Sequence, residues 1–232
     1  MNSNFIFDVD CVLTSPRTPI DPEFEKFFRQ WMQGKNVYIL SGSPYADIKS
    51  QLGDIVDKVN GFFPCQGNVL YVSGKLVYDM VWHCEELVDV LQVFIDTSKY
   101  PQQHGGLIDI RSGMINFSTL GRASKEERTE YNKWDTVEGE RQKIVDFVND
   151  HFSEVCATIG GQVSIDIAPH GCDKSQIRNK IKGPIWFFGD QTQEGGNDWL
   201  LVRVLHEDDK VFSVNDWQDT WEILKNEWNE CC

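Results

Sequence analysis

The chain reads as an α/β protein, a parallel-sheet core interrupted by an inserted α+β cap, and three observations carry that reading. Apolar runs of strand length, Phe5-Ile6-Phe7, Val37-Tyr38-Ile39-Leu40 and Pro184-Ile185-Trp186-Phe187-Phe188, each end abruptly in polar residues, as buried strands of an open sheet do. Helical spacing follows each of the first two, and the order strand, helix, strand, helix implies parallel neighbours joined by right-handed crossovers. Further along, the rhythm changes to hairpins, a charged helical stretch and another strand, the pattern of a separate α+β unit. The core is placed at residues 1–80 and 170–232 and the cap at 81–169.

The first strand runs straight into Asp8-Val9-Asp10. Asp8 stands at the carboxyl edge of the sheet, where ligands of open α/β sheets bind. Asp10, two residues on, shares that side if the chain stays extended. Two converging carboxylates repel unless a cation joins them, and Mg2+ is the natural one; the alternative is turn chemistry, in which Asp is common. Phe24, Phe27, Phe28 and Trp31 then mark a packing helix that opens with Pro22 after Asp21 and stops near Gly34. The second strand ends in Ser41-Gly42-Ser43-Pro44, whose serines either donate to a phosphoryl oxygen or cap a helix over Ala46 to Leu52.

Short strands between Phe62 and Tyr78, with turns at Gly67-Asn68 and Ser73-Gly74-Lys75, lead to the cap. There Glu85 to Ile95 is amphipathic, its stripe of Leu87, Val88, Leu91 and Ile95 serving either as core or as an interface. A hairpin follows around Ser112-Gly113, then a helical stretch from Glu126 to His151 and a strand from Val163 to Ile167. Lys125, Lys133, Arg141 and Lys143 on that stretch read as solvated charges. Arg111 and Arg122 are loop residues with the planar fork that grips phosphate, and Arg128 lies close by in sequence.

The third core strand repeats the design of the first, ending in Gly189-Asp190 ahead of Gly195-Gly196-Asn197-Asp198. Asp190 is thus a third oxygen ligand beside Asp8 and Asp10, and Asp198 a support for the metal. Lys174, after Gly171-Cys172-Asp173, is expected at a helix start, from where its ammonium neutralises a phosphoryl group in transfer.

A formal net charge of -14 over 232 residues argues against nucleic-acid or membrane-surface partners, which need an extended basic face, and leaves room for a small phosphorylated ligand. No stretch has the length of a signal peptide's apolar region or of a membrane helix, so a cytoplasmic protein is expected. Seven cysteines without metal-type spacing read as reduced thiols.

Asp8-x-Asp10, the Ser41/Ser43 turn, Lys174 and Gly189-Asp190…Asp198 together resemble the motif set of the haloacid dehalogenase (HAD) superfamily, whose Rossmannoid core uses the first Asp as nucleophile and the second as general acid and base. The chain resembles the eukaryotic-type phosphomannomutases more specifically. The matching stretches are Phe7-Asp8-Val9-Asp10 with Leu13-Thr14 and Arg17, Gly113-Met114-Ile115-Asn116, Gly121-Arg122 with Glu126-Glu127-Arg128, Ile159 to Asp166, Asp173-Lys174, and Phe187 to Asp190 with Gly195 to Asp198. The resemblance implies that Arg17, Arg111, Arg122 and Arg128 bind the distal phosphate and sugar and that Ser164 and Asp166 read sugar hydroxyls; Ser43 aligns with the family's phosphate-binding serine. It also implies Mg2+, a hexose 1,6-bisphosphate activator, a dimer formed through the caps, and interconversion of mannose 6-phosphate and mannose 1-phosphate on the way to GDP-mannose. Cys11 and Val12 stand where the family has Gly-Thr, which leaves open the alternative of a sugar-phosphate phosphatase that loses the aspartyl-phosphate to water.

Overall fold

The computed structural model describes residues 3–230, so that Cys231 and Cys232 lie outside the described residues. The chain begins with β1 (Asn4–Phe7), α1 (Pro22–Trp31), β2 (Asn36–Leu40), α2 (Tyr45–Leu52), α3 (Ile55–Lys58), β3 (Gly61–Phe63), β4 (Val69–Val72) and β5 (Lys75–Asp79). It continues through α4 (Glu85–Thr97), β6 (Ile108–Arg111), β7 (Met114–Phe117), α5 (Lys125–Glu138), α6 (Glu140–His151), β8 (Val155–Gly160) and β9 (Ser164–Pro169). It ends with α7 (Gln176–Lys180), β10 (Ile185–Gly189), α8 (Trp199–Val202), β11 (Lys210–Ser213) and α9 (Trp217–Glu230). Two compact units result, one holding the residues up to Asp79, Asp173–Glu194 and those from Asp198 on, the other Met80–Cys172 with Gly195–Asn197.

The first unit is built on a seven-stranded sheet in the order β11-β10-β1-β2-β3-β4-β5. The five strands from β11 to β3 run parallel, and β4 and β5 extend the sheet antiparallel. Their order places β1 centrally, and its register with Phe188 and Ile39 brings the carboxyl ends of β10, β1 and β2 to one edge. Below that edge the sheet is anchored by aromatic packing. Phe7 stacks on Phe188 at 4.6 Å and meets Phe28 of α1 edge-on at 5.3 Å, geometries that add to the apolar burial. Helix α1 starts where expected because Asp21 accepts the N–H groups of Glu23 and Phe24, satisfying two otherwise orphaned donors.

The second unit has a four-stranded antiparallel sheet in the order β6-β7-β9-β8. Strand alternation divides it into two chemically distinct faces. Ile115, Phe117, Ala157, Ile165 and Ile167 pack against Leu87, Leu91 and Ile95 of α4 and Ile144, Val145 and Val148 of α6, so the stripe on α4 is core. Across the other face, strand pairing aligns Asp109, Asn116, Asp166 and Thr158 in one polar row.

Three local expectations are corrected. Neither Ser41 nor Ser43 caps α2; its N-cap is the extended Pro44, with no side-chain cap hydrogen bond. The stretch from Glu126 to His151 is two helices, because Gly139 between them adopts φ +65°, the left-handed conformation that glycine tolerates and that ends a helix. Arg141 is not a solvated charge but is buried against Asp135 just past that break. Strands β8 and β11 lie in stretches too short or too mixed for the apolar pattern to isolate. Among the described residues no helix is long and apolar enough to cross a membrane.

Truncating Leu91, fully buried in the second unit, to Ala is expected to cost about 2–5 kcal/mol. The same change at Val137, 83% exposed, should stay within about 0.5 kcal/mol, and urea unfolding monitored by circular dichroism separates the two.

Candidate active site

In the first unit β1 delivers Asp8 to the carboxyl edge of the sheet, and β10 delivers Asp190 beside it. Asp8 is buried; its Oδ1 accepts the Val9 N–H at 2.8 Å and its Oδ2 accepts from Lys174 Nζ at 2.9 Å. Lys174 lies in the turn ahead of α7 rather than in the helix, with only 1% of its surface exposed. Its ammonium also donates to Asp198 Oδ1 at 2.7 Å, while Asp198 Oδ2 accepts the Gln191 N–H at 3.1 Å. A Cβ on Gly189 would lie 2.6 Å from Asp198 Oδ2, so only glycine lets β10 run this close to the carboxylate.

Carboxylate oxygens of Asp8, Asp190 and Asp198 lie within 4.8 Å of one another. Three acidic side chains around one ammonium leave an excess of negative charge, and an all-oxygen donor set of this kind suits a hard divalent cation. Burial, then the Asp198 and Asp190 carboxylates, push the Asp8 carboxyl up to about 8 against the opposing pull of Lys174. Asp190 is raised by burial and by Asp198. For Lys174 burial works against the charge, but Asp198 and Asp8 outweigh it and hold the ammonium above its ordinary range.

Asp10, expected as a further ligand, has its side chain outside this group. Its Oδ1 accepts the Arg17 N–H at 3.0 Å and the Gln51 amide at 3.2 Å. Directly after Asp10 the chain curls at Cys11, whose φ is +63°, and Val9 O receives the N–H groups of Val12, Leu13 and Thr14. Burial, then the charges of Asp190, Asp10 and Asp8, push the Cys11 thiol up to about 12, so it is neutral. Arg17 is exposed at φ +60°. Ser41 is buried just past β2 and accepts the Ser43 N–H on its Oγ at 3.1 Å; Ser43 is half-buried.

In the second unit Asp166 belongs to the polar row of the sheet, and Arg111 and Arg122 stand close to Asp109 of that row. Arg111 donates through Nε and Nη2 to Asp109 Oδ2 at 3.0 and 2.9 Å, and Arg122 Nη2 stands 3.7 Å from the same oxygen. Arg128, in the first turns of α5, keeps a buried Nε without a hydrogen-bond partner. Asp166 accepts from Asn116 at 2.6 Å, and Ser164 lies two residues before it on β9. Sequence reasoning passed over Asp109 and Gln51, although Asp109 precedes Arg111 by the two-residue step that puts both on one face of a strand.

The sequence profile of the eukaryotic phosphomannomutases matches residues 24–230. The chain belongs to that family. Phosphomannomutases are enzymes of the isomerase class, and this chain is one of them. It is 34% identical over 211 residues to the phosphomannomutase of Dendrobium officinale, covering 85% of this chain and 84% of the relative. With that of Triticum aestivum it shares 35% over 206 residues, 83% of each chain. A haloacid dehalogenase-like hydrolase from Bacteroides thetaiotaomicron superposes with a TM-score of 0.59 at 12% identity, covering 98% of this chain and all of that one, which shows the HAD-like fold.

The raised Asp8 carboxyl sets a pH dependence for the metal-free protein. The folded state holds that proton more tightly than the unfolded chain, so this contribution to stability is complete below the ordinary value of 3.8 and is lost as pH rises to about 8. In chelator, urea unfolding should therefore show declining stability across that window. Asp8→Asn should flatten the decline and add about 1–3 kcal/mol at its upper end; a wild-type profile that rises there would contradict the assignment.

Proposed function

We propose that the protein interconverts mannose 6-phosphate and mannose 1-phosphate by transient phosphorylation of Asp8, with a hexose 1,6-bisphosphate as activator. The observation that carries the reading is Asp8 at the end of β1, held by a buried Lys174 beside Asp190, in a chain of this family.

Asp8 and Asp190 would hold Mg2+, with Asp198 retaining Lys174 and supporting the site. Bound there, the ion would offset the excess negative charge, keep Asp8 ionised and screen the phosphoryl oxygens. Asp8 attacks phosphorus of the bisphosphate in line, the bond from phosphorus to the sugar oxygen breaks, and Asp10 protonates that oxygen. Lys174 and a hydroxyl of Ser41 or Ser43 stabilise the charge on the equatorial oxygens. The hydrogen bonds from the Arg17 N–H and Gln51 keep the Asp10 carboxyl oriented for this work. For the return step, Asp10 takes the proton from a sugar hydroxyl as that oxygen attacks the phosphoryl group on Asp8. The intermediate bisphosphate turns between the two transfers, so both of its ends must be accepted.

Recognition of the sugar phosphate is assigned to Arg17 and, in the second unit, to Arg111, Arg122 and Arg128 for the distal phosphate and Ser164 and Asp166 for the hydroxyls. The guanidinium fork matches a phosphate, and the polar row beside Arg111 matches a sugar. The family resemblance further supports a cytoplasmic enzyme that dimerises through its caps; sedimentation at monomer mass would remove the dimer.

The test follows mannose 1-phosphate by phosphorus NMR with Mg2+ and a trace of glucose 1,6-bisphosphate. Mannose 6-phosphate should accumulate, the signal should vanish in Asp8→Asn, and Asp10→Asn should slow it about 10²–10⁴-fold. Arg122→Ala should raise KM about tenfold or more with the phosphoryl-transfer groups intact. Release of inorganic phosphate alone would replace the mutase by a phosphatase.

A further inference from the structure

Arg141 and Asp135 have no part in the reading above, yet they form the most completely connected buried charge pair of the second unit. Arg141 Nε donates to Asp135 Oδ2 at 2.7 Å, and the Arg141 N–H donates to Asp135 Oδ1 at 2.9 Å. The guanidinium then spreads further, Nη1 to the carbonyls of Gly161 at 3.0 Å and Gly160 at 3.3 Å, and Nη2 to Asn132 Oδ1 at 3.1 Å. The side chains are 8% and 6% exposed. A buried ion pair is poor evidence of stabilisation, since an apolar pair of the same volume often serves as well. What the planar fork adds is direction, because it holds two carbonyl groups in one fixed plane.

Those carbonyls belong to Gly160, the last residue of β8, and Gly161, the first of the turn that leads into Ser164 and Asp166 on β9. At Gly160 an added Cβ would lie 3.0 Å from both Asp166 Oδ2 and Ser164 Oγ. Gly160, one of the two residues whose carbonyls Arg141 holds, is therefore the one beside which both hydroxyl-reading side chains lie. Asn116 supports Asp166 independently, its Nδ2 donating to Asp166 Oδ1.

We propose that Arg141, held by Asp135, is a positioning residue for substrate recognition: it fixes the β8–β9 turn so that Ser164 and Asp166 meet the sugar in one geometry. The inference rests on the sugar-reading role assigned to those two residues. It makes sugar recognition depend on a residue that touches the backbone of the turn and no substrate, and it leaves phosphoryl transfer at Asp8 untouched.

The test uses the full-length Mg2+ enzyme and the double variant Asp135→Asn/Arg141→Met, which removes the guanidinium without stranding a buried carboxylate, with Arg141→Lys as the conservative variant. Two reactions are compared: mutase turnover of mannose 1-phosphate, and phosphorylation of Asp8 by acetyl phosphate, a donor without a sugar. The expected result is a rise in KM for mannose 1-phosphate of roughly tenfold in the double variant, a smaller rise in Arg141→Lys, and an unchanged acetyl phosphate rate. Amide exchange should quicken at Gly161 and Gln162. An unchanged KM in the folded double variant, or an equal fall in both reactions, would overturn the inference while the wild type still turns over. Should the double variant fail to fold, Arg141→Lys decides by the same two readings. A wild-type protein with no mutase turnover would instead defeat the functional reading itself.

Discussion

The active-site edge depends on one ammonium group. Lys174 has given up nearly all contact with water, and nothing but the carboxylates of Asp8 and Asp198 justifies its burial. Take it away and three acidic groups would face one another at the end of a hydrophobic sheet. With it in place they remain one negative charge or more in excess, a tension that ordinary packing cannot relieve and that a divalent cation or a proton can. The aromatic layer beneath, Phe7 against Phe188 and Phe28, is the rigid floor that makes the tension hold, because neither β1 nor β10 can retreat from the other. Even the missing side chain of Gly189 belongs to this arrangement, since it lets Asp198 close on the strand.

The charge arrangement also gives two aspartates that stand two residues apart different surroundings. Asp8 is buried, raised and paired with Lys174; Asp10 is half-buried and tied by the loop to Arg17 and Gln51. On the mechanism proposed, one carboxyl attacks and the other exchanges protons, and the two different surroundings suit those two tasks.

Much of this was legible in the sequence. Apolar runs that end in Asp marked the strands, and their order placed Asp8 and Asp190 on one edge. Lys174 was legible as part of a motif, though not its burial, which depends on partners 166 and 24 residues away. What escaped was decided by conformation or by tertiary context. The serines before α2 have the composition of a cap, but Pro44 takes the position. Nothing in the residue types announces the left-handed Cys11 or the bonds that tie Asp10 to the Arg17 N–H and Gln51. Arg141 sits in a run of charged residues and looks solvated until Gly139 folds its helix back and brings Asp135 to it. Strand β11 is largely exposed and carries little hydrophobic signature.

The two-faced sheet of the second unit has a consequence for how such a protein changes over time. Along β7 and β9, residues that hold the core alternate with residues on the polar row, one after the next. The two kinds of position are neighbours in the gene but belong to separate compartments in the fold. Substitutions at every other codon can therefore remodel what the surface recognises while the packing between them is left alone, whereas a single inserted or deleted residue would exchange the two faces at once. Such a surface is free to drift by point mutation and closed to change in length.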